Sequence, residues 1–154
     1  MSNNFYRSLP PFVIRFALKH ESKEQLLLLA ALLLLPFNLF DQDLSVVNIL
    51  LFSTLSLTAL LLNRTIVESH SFPRWPKIFL YVHAYGSSIL FIGLLFKIQH
   101  FPGTAVMMNV GVVSLFASIL LLFVPSVQDS MMPRMRHIFL RLFVMLTWTL
   151  FVLI

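Results

Sequence analysis

Cysteine is missing altogether, glycine occurs four times and acidic residues six times in 154 positions, and each scarcity closes off some chemistry. Without thiols there are no disulfides, no thiolate metal sites and no nucleophilic cysteine. With so few acids, none inside a long apolar run, paired-carboxylate chemistry has no visible basis. Charged residues make up 11% of the chain, against about a quarter in an ordinary soluble domain, while apolar residues make up 58%. A water-soluble fold of this length has no way to cover that much apolar surface. No Ser, His and Asp constellation, glycine-rich phosphate loop or metal-ligand spacing is present, so neither an enzyme nor a bound cofactor or metal is expected.

What is present is a succession of long stretches free of Asp, Glu, Lys and Arg, with a mean hydropathy of +0.89. Hydrocarbon suits them as solvent, and in hydrocarbon the backbone must satisfy its own hydrogen bonds. The runs are continuous rather than alternating, which points to helices and not to a strand barrel. The reading is an all-α integral membrane protein with about five transmembrane helices near residues 26–40, 44–62, 78–98, 104–124 and 138–154. Residues 1–25 form a cytoplasmic or interfacial segment, with a short amphipathic helix around Phe12 to Leu18, and residues 26–154 form one membrane domain. The first run is short, about 22 Å at 1.5 Å per residue, and crosses only if Lys23, Glu24 and Gln25 snorkel or the bilayer thins. No small-x-small cleavage signal follows it in residues 37–41, so it is expected to be retained.

Orientation follows from the basic residues. Arg7, Arg15, Lys19 and Lys23 precede the first run, and the polar turn of Asp41, Gln42 and Asp43 has no Lys or Arg. Arg64, Arg74 and Lys77 lie in the next connection, Lys97 in the following one, and Arg134 and Arg136 in the last. This alternation places the N-terminus inside and the C-terminus outside an inner membrane. Pro73 and Pro76 are expected to keep the second helix from continuing and to position Trp75 as an interfacial anchor. The net charge of +5 is spread over run ends rather than gathered in a patch, so the lipid bilayer and not nucleic acid is the expected partner.

Four polar residues stand out. Lys97 and His100 lie at the outer end of the third helix, and their spacing puts both on one face if the helix extends that far. They form a proton-handling or partner-gripping cluster, or Lys97 snorkels to the headgroups and His100 caps a turn. His83, within Tyr81, Val82, His83, Ala84 and Tyr85, sits in an aromatic belt. With only His137 at comparable depth as a second ligand, haem is not expected. Arg141, one turn into the last helix, is expected to snorkel to the interface, or else to pair with a carboxylate on a partner subunit, since the five apolar runs contain no carboxylate. Asn38, Asn48 and Asn109 are expected to hydrogen-bond between helices. The small residues Gly86, Ser87 and Ser88, with Gly111, Ser114, Ala117 and Ser118, suit close helix packing.

The segment Gly93, Leu94, Leu95, Phe96, Lys97, Ile98, Gln99, His100, Phe101, Pro102, Gly103, Thr104, Ala105 resembles the first transmembrane hairpin of GldL-like proteins, the inner-membrane stator subunits of the gliding-motility and type IX secretion motor of Bacteroidota. Their motif is similar to G-x-L-F-K-x-x-H-W-P-G-A, and the likeness covers residues 80–124. It implies a periplasm-facing hairpin with Lys97 and His100 as its polar pair and Pro102 and Gly103 as its turn. The stators hold a buried carboxylate in the following helix, whereas residues 105–124 here have no Asp or Glu and Asp129 lies beyond Pro125. The expectation is therefore a non-enzymatic accessory subunit that docks through its helices on a larger envelope complex or self-associates. The alternative is a proton- or ion-conducting stator or channel using Lys97, His100 and His83.

Overall fold

The computed structural model describes Phe12 and residues 21–34 and 45–153. The basic N-terminal residues Arg7, Arg15 and Lys19, the polar turn at Asp41 and Asp43, and Asn38 lie outside the described residues, as does most of the expected interfacial helix. Among the described residues there are no strands. Six α-helices, α1 Glu21–Leu34, α2 Ser45–Ser69, α3 Arg74–Ile98, α4 Thr104–Leu121, α5 Pro125–Met131 and α6 Met135–Leu153, follow one another, with a 3₁₀ turn Met132–Arg134 between the last two. Three of them, over Val46–Glu68, Arg74–Ile98 and Thr104–Leu121, are long and apolar enough to cross a membrane.

The helices overrun the apolar segments that announced them. Helix α1 is described from Glu21, so helical backbone already covers residues ahead of the apolar run that opens at Leu26. Helix α2 continues past Leu62 to Ser69 although Asn63, Arg64, Thr65 and Glu68 are polar. Two of these satisfy themselves on their own helix: Asn63 Nδ2 donates to the Ala59 carbonyl at 3.0 Å and Thr65 Oγ1 to the Leu61 carbonyl at 2.7 Å. Arg64 Nε donates to Glu68 Oε1 at 3.0 Å, a one-turn pair. Pro73 caps the start of α3, and Pro76 sits in its first turn, where an N–H would have no helical partner. Arg74, Trp75 and Lys77 are therefore the first turn of a helix and not a loop. Pro125 opens α5 in the same way, inside a stretch expected to be a connection.

Helix α3 is the axle of the bundle. It packs against α2, α4, α5 and α6, while α1 packs against α6 and α2. Its apolar span is 67% buried, that of α4 only 22%. The α2–α3 contact is antiparallel, with Ser56 and Ser88 sharing a buried hydroxyl–hydroxyl hydrogen bond and Phe52 tilted against Phe91. Trp148 of α6 meets Phe52 edge-on at 5.0 Å, so one aromatic knot joins three helices. The antiparallel α3–α4 seam is built on close approach: a Cβ on Gly111 would lie 2.8 Å from both Cα and Cβ of Leu90, and one on Gly86 would lie 2.5 Å from Ser114 Cβ. Since lipid tails are as apolar as leucine, association here depends on packing rather than on escape from water.

Gly111→Ala is accordingly expected to push α4 off α3 and to cost about 1–3 kcal/mol, read as a lower unfolding midpoint in a detergent denaturation titration; an unchanged midpoint would mean the seam is not tight.

Candidate functional site

The positions 24, 28 and 31 recur on one face of α1, and all three are buried: Glu24, Leu28 and Ala31. A carboxylate therefore stands on the stripe that α1 turns toward its neighbours. On α6 the buried stripe runs through Ile138, Arg141, Leu142, Met145 and Trp148. The two stripes meet twice. Arg141 Nη2 donates to Glu24 Oε1 at 2.5 Å, with side-chain exposures of 5% and 2%, and Trp148 Nε1 donates to the Ala31 carbonyl at 3.1 Å. Both contacts advance together along the two helices, so α1 and α6 run parallel.

Arg141 thus does not snorkel, nor does it need a carboxylate from another subunit. Its partner is Glu24 of the same chain, which the sequence pattern assigned to the flank of the first run. The missed signal was the seven-residue spacing that puts Glu24 in line with Leu28 and Ala31, reinforced by Arg141 falling in line with Ile138 and Met145.

Around this pair the bundle gathers further polar groups. His83, almost fully buried on α3, lies within the electrostatic reach of Arg141 and stacks on Phe79, the ring centres 5.5 Å apart and the rings nearly parallel. A cavity of about 20 Å³ lined by Leu62, Asn63, Ile66, Leu80, Arg134, His137, Ile138 and Arg141 adjoins them. That is room for about one water. Glu24 Oε2, Arg141 Nε and His83 Nε2 are buried with no hydrogen-bond partner among the described residues, so the cluster holds unused donor and acceptor capacity. Among the described residues no group of His, Cys, Asp or Glu is placed to hold a metal ion.

The structure separates the other candidates from this cluster. Lys97 is exposed in the last turn of α3, where a cation complements the helix dipole. Helix α3 stops at Ile98, and His100 is exposed beyond it with φ 57°, so the two do not share a helical face. The reason is a complete helix stop. His100 N–H donates to the Lys97 carbonyl at 3.2 Å and Phe101 N–H to the Phe96 carbonyl at 2.8 Å, while the Phe96 and Phe101 rings meet edge-on at 5.5 Å. These are the two hydrogen bonds and the apolar contact of a Schellman stop, with histidine in the left-handed position that glycine usually takes. Pro102 follows, and Gly103, at φ 85°, caps the start of α4. His83 lies about four turns back along α3, some 20 Å from Lys97. Of the asparagines, Asn48 is buried, whereas Asn109 is exposed on α4 and faces away from the bundle.

Comparison with protein families, with curated proteins and with solved structures finds no match.

Two expectations follow. Arg141→Ala strands the Glu24 carboxylate and is expected to cost about 3–5 kcal/mol, while the double change Glu24→Leu with Arg141→Met recovers most of it, measured as unfolding midpoints in one detergent; equal loss in both variants would show that the charges are not coupled. His100→Gly removes a left-handed histidine and is expected to stabilise by about 1 kcal/mol, and any loss of stability there would assign His100 a contact beyond its capping role.

Proposed function

We propose that this chain is a non-enzymatic integral subunit of a bacterial inner membrane, with five spans, the N-terminus inside and the C-terminus outside, docking through its helices on a larger envelope complex. The observation that carries the reading is the way α4 is held. It touches the bundle along one narrow seam, in which Met108, Gly111, Leu115 and Ser118 are buried, and leaves Val106, Val110, Val113, Phe116 and Leu120 exposed along its length. A helix so apolar and so little covered by its own chain has the form of an interaction face in a membrane. The parallel course of α1 and α6 supports termini on opposite faces of the membrane, because an odd number of crossings separates helices that run the same way; which face is inside rests on the alternation of basic residues.

The conducting alternative gains a buried carboxylate, Glu24, although not in the helix where the stators hold theirs. It gains no titratable route among the described residues. Between His83 and the outer end of the bundle the described interior is largely apolar, with Leu55, Leu90, Phe91, Leu94, Phe52 and Trp148, and the polar side chains buried there, Ser56, Ser87, Ser88, Thr149 and Asn48, are neutral. A docking subunit needs no such route, and the GldL-like hairpin resemblance is compatible with a neighbour of a motor as much as with the motor itself.

Photo-crosslinking residues placed at Val113 and Phe116 in native membranes are expected to capture one protein that also co-elutes at fixed ratio after mild-detergent extraction. Capture of lipid alone, from a particle that elutes as a single species, would overturn the docking role.

A further inference from the structure

A second site lies on the opposite side of the bundle from α4, on the outer face of the α2–α3 hairpin. There a pocket of about 190 Å³ is lined by Leu57, Leu60, Leu61 and Arg64 of α2 and by Tyr81 and Tyr85 of α3. Its composition is graded. The leucines occupy the roughly two turns of α2 that precede Arg64, and they face the tyrosine side of α3 because the Ser56–Ser88 contact sets the register. Arg64 closes the end nearer the 70–73 connection, with half its side chain exposed.

The guanidinium is held in place. Its Nε is engaged by Glu68 Oε1 at 3.0 Å, and that bond leaves the two terminal NH₂ groups free to form a fork toward the pocket mouth. On α3 the exposed residues Arg74, Lys77, Tyr81 and Tyr85 recur at helical spacing along one face, cations first and phenols deeper. The pocket thus meets a ligand with fixed charge at one end, two aromatic rings with hydroxyls in the middle and aliphatic walls beyond. Each part has a counterpart in one kind of molecule: a phosphate for the Arg64 fork, surplus negative charge for Arg74 and Lys77, and an acyl chain for the leucines.

We propose that this pocket binds an anionic phospholipid of the leaflet at the basic-rich end of the bundle, its phosphate on Arg64 and one acyl chain along Leu57, Leu60 and Leu61. Surplus negative charge distinguishes the occupant from a zwitterionic lipid, which offers Arg74 and Lys77 no net partner. The site depends on the helices being in a bilayer and not on any partner complex, so it stands or falls apart from the docking role.

The test is native mass spectrometry of the full chain in mild detergent, titrated with dioleoyl phosphatidylglycerol or dioleoyl phosphatidylcholine. The wild type is expected to retain phosphatidylglycerol preferentially, and Arg64→Gln to weaken that retention about tenfold. Because Arg64 is exposed, the variant folds. Glu68→Gln, which breaks the same surface pair but keeps the cation, is expected to retain the lipid, as is Arg136→Gln, which removes one charge from the same end of the bundle outside the pocket. Equal retention of the two lipids, an unchanged Arg64→Gln, or an equal loss in Arg136→Gln would overturn the proposal. So would displacement of the lipid by inorganic phosphate or glycerol 3-phosphate, which would make the ligand a free phosphate and the leucine walls irrelevant.

Discussion

The arrangement of the bundle depends on one buried ion pair. Glu24 and Arg141 lie on helices that are neighbours in space and 117 residues apart in sequence, and each occupies a stripe position where an apolar residue would be the ordinary choice. An isolated charge there would be costly in protein or lipid, whereas a pair at hydrogen-bonding distance offsets much of that cost and fixes which faces meet. The Trp148 to Ala31 hydrogen bond repeats the constraint higher on the same pair of helices. Together they set the rotation of α1 and α6, and with it the placing of Trp148 against Phe52 and of His83 near Arg141.

The rest of the bundle is joined by contacts of a different kind. Between α3 and α4 there is no ion pair among the described residues, and the two helices approach closely at Gly86, Gly93 and Gly111. Between α2 and α3 the adhesion comes from aromatic rings and a shared hydroxyl hydrogen bond. Specificity is thus divided. Charge selects the partner of α1, and steric fit selects the partner of α4. The first tolerates no loss of either member, and the second tolerates no added volume.

The helical character and membrane-crossing length of the central elements were legible in the sequence because uninterrupted apolar runs have one low-cost solution in hydrocarbon. Element ends were less legible. Polar residues at 63–68 read as a loop when only hydropathy is counted, yet they continue α2 because Asn63 and Thr65 return their hydrogen bonds to the helix itself. Pro76 read as a helix breaker, but a proline in a first turn breaks nothing. The polar cluster was half legible: His83 and Arg141 stand out among apolar neighbours, while Glu24 was concealed in a polar flank of Glu21, Lys23 and Gln25. His100 stood out for its proximity to Lys97, and its position follows from local backbone geometry instead, since histidine is among the side chains that enter the left-handed region most readily.

The long separation of Glu24 from Arg141 also bears on how the molecule is made. During synthesis α1 emerges with its carboxylate on the packing stripe, and the residue that neutralises it is added last among the helices. At about 5–20 residues per second the wait between the two, 117 residues apart, is roughly 6–23 seconds. Through that interval the Glu24 carboxylate has no Arg141 to meet, so the α1–α6 contact can form only after α2, α3 and α4 have been made.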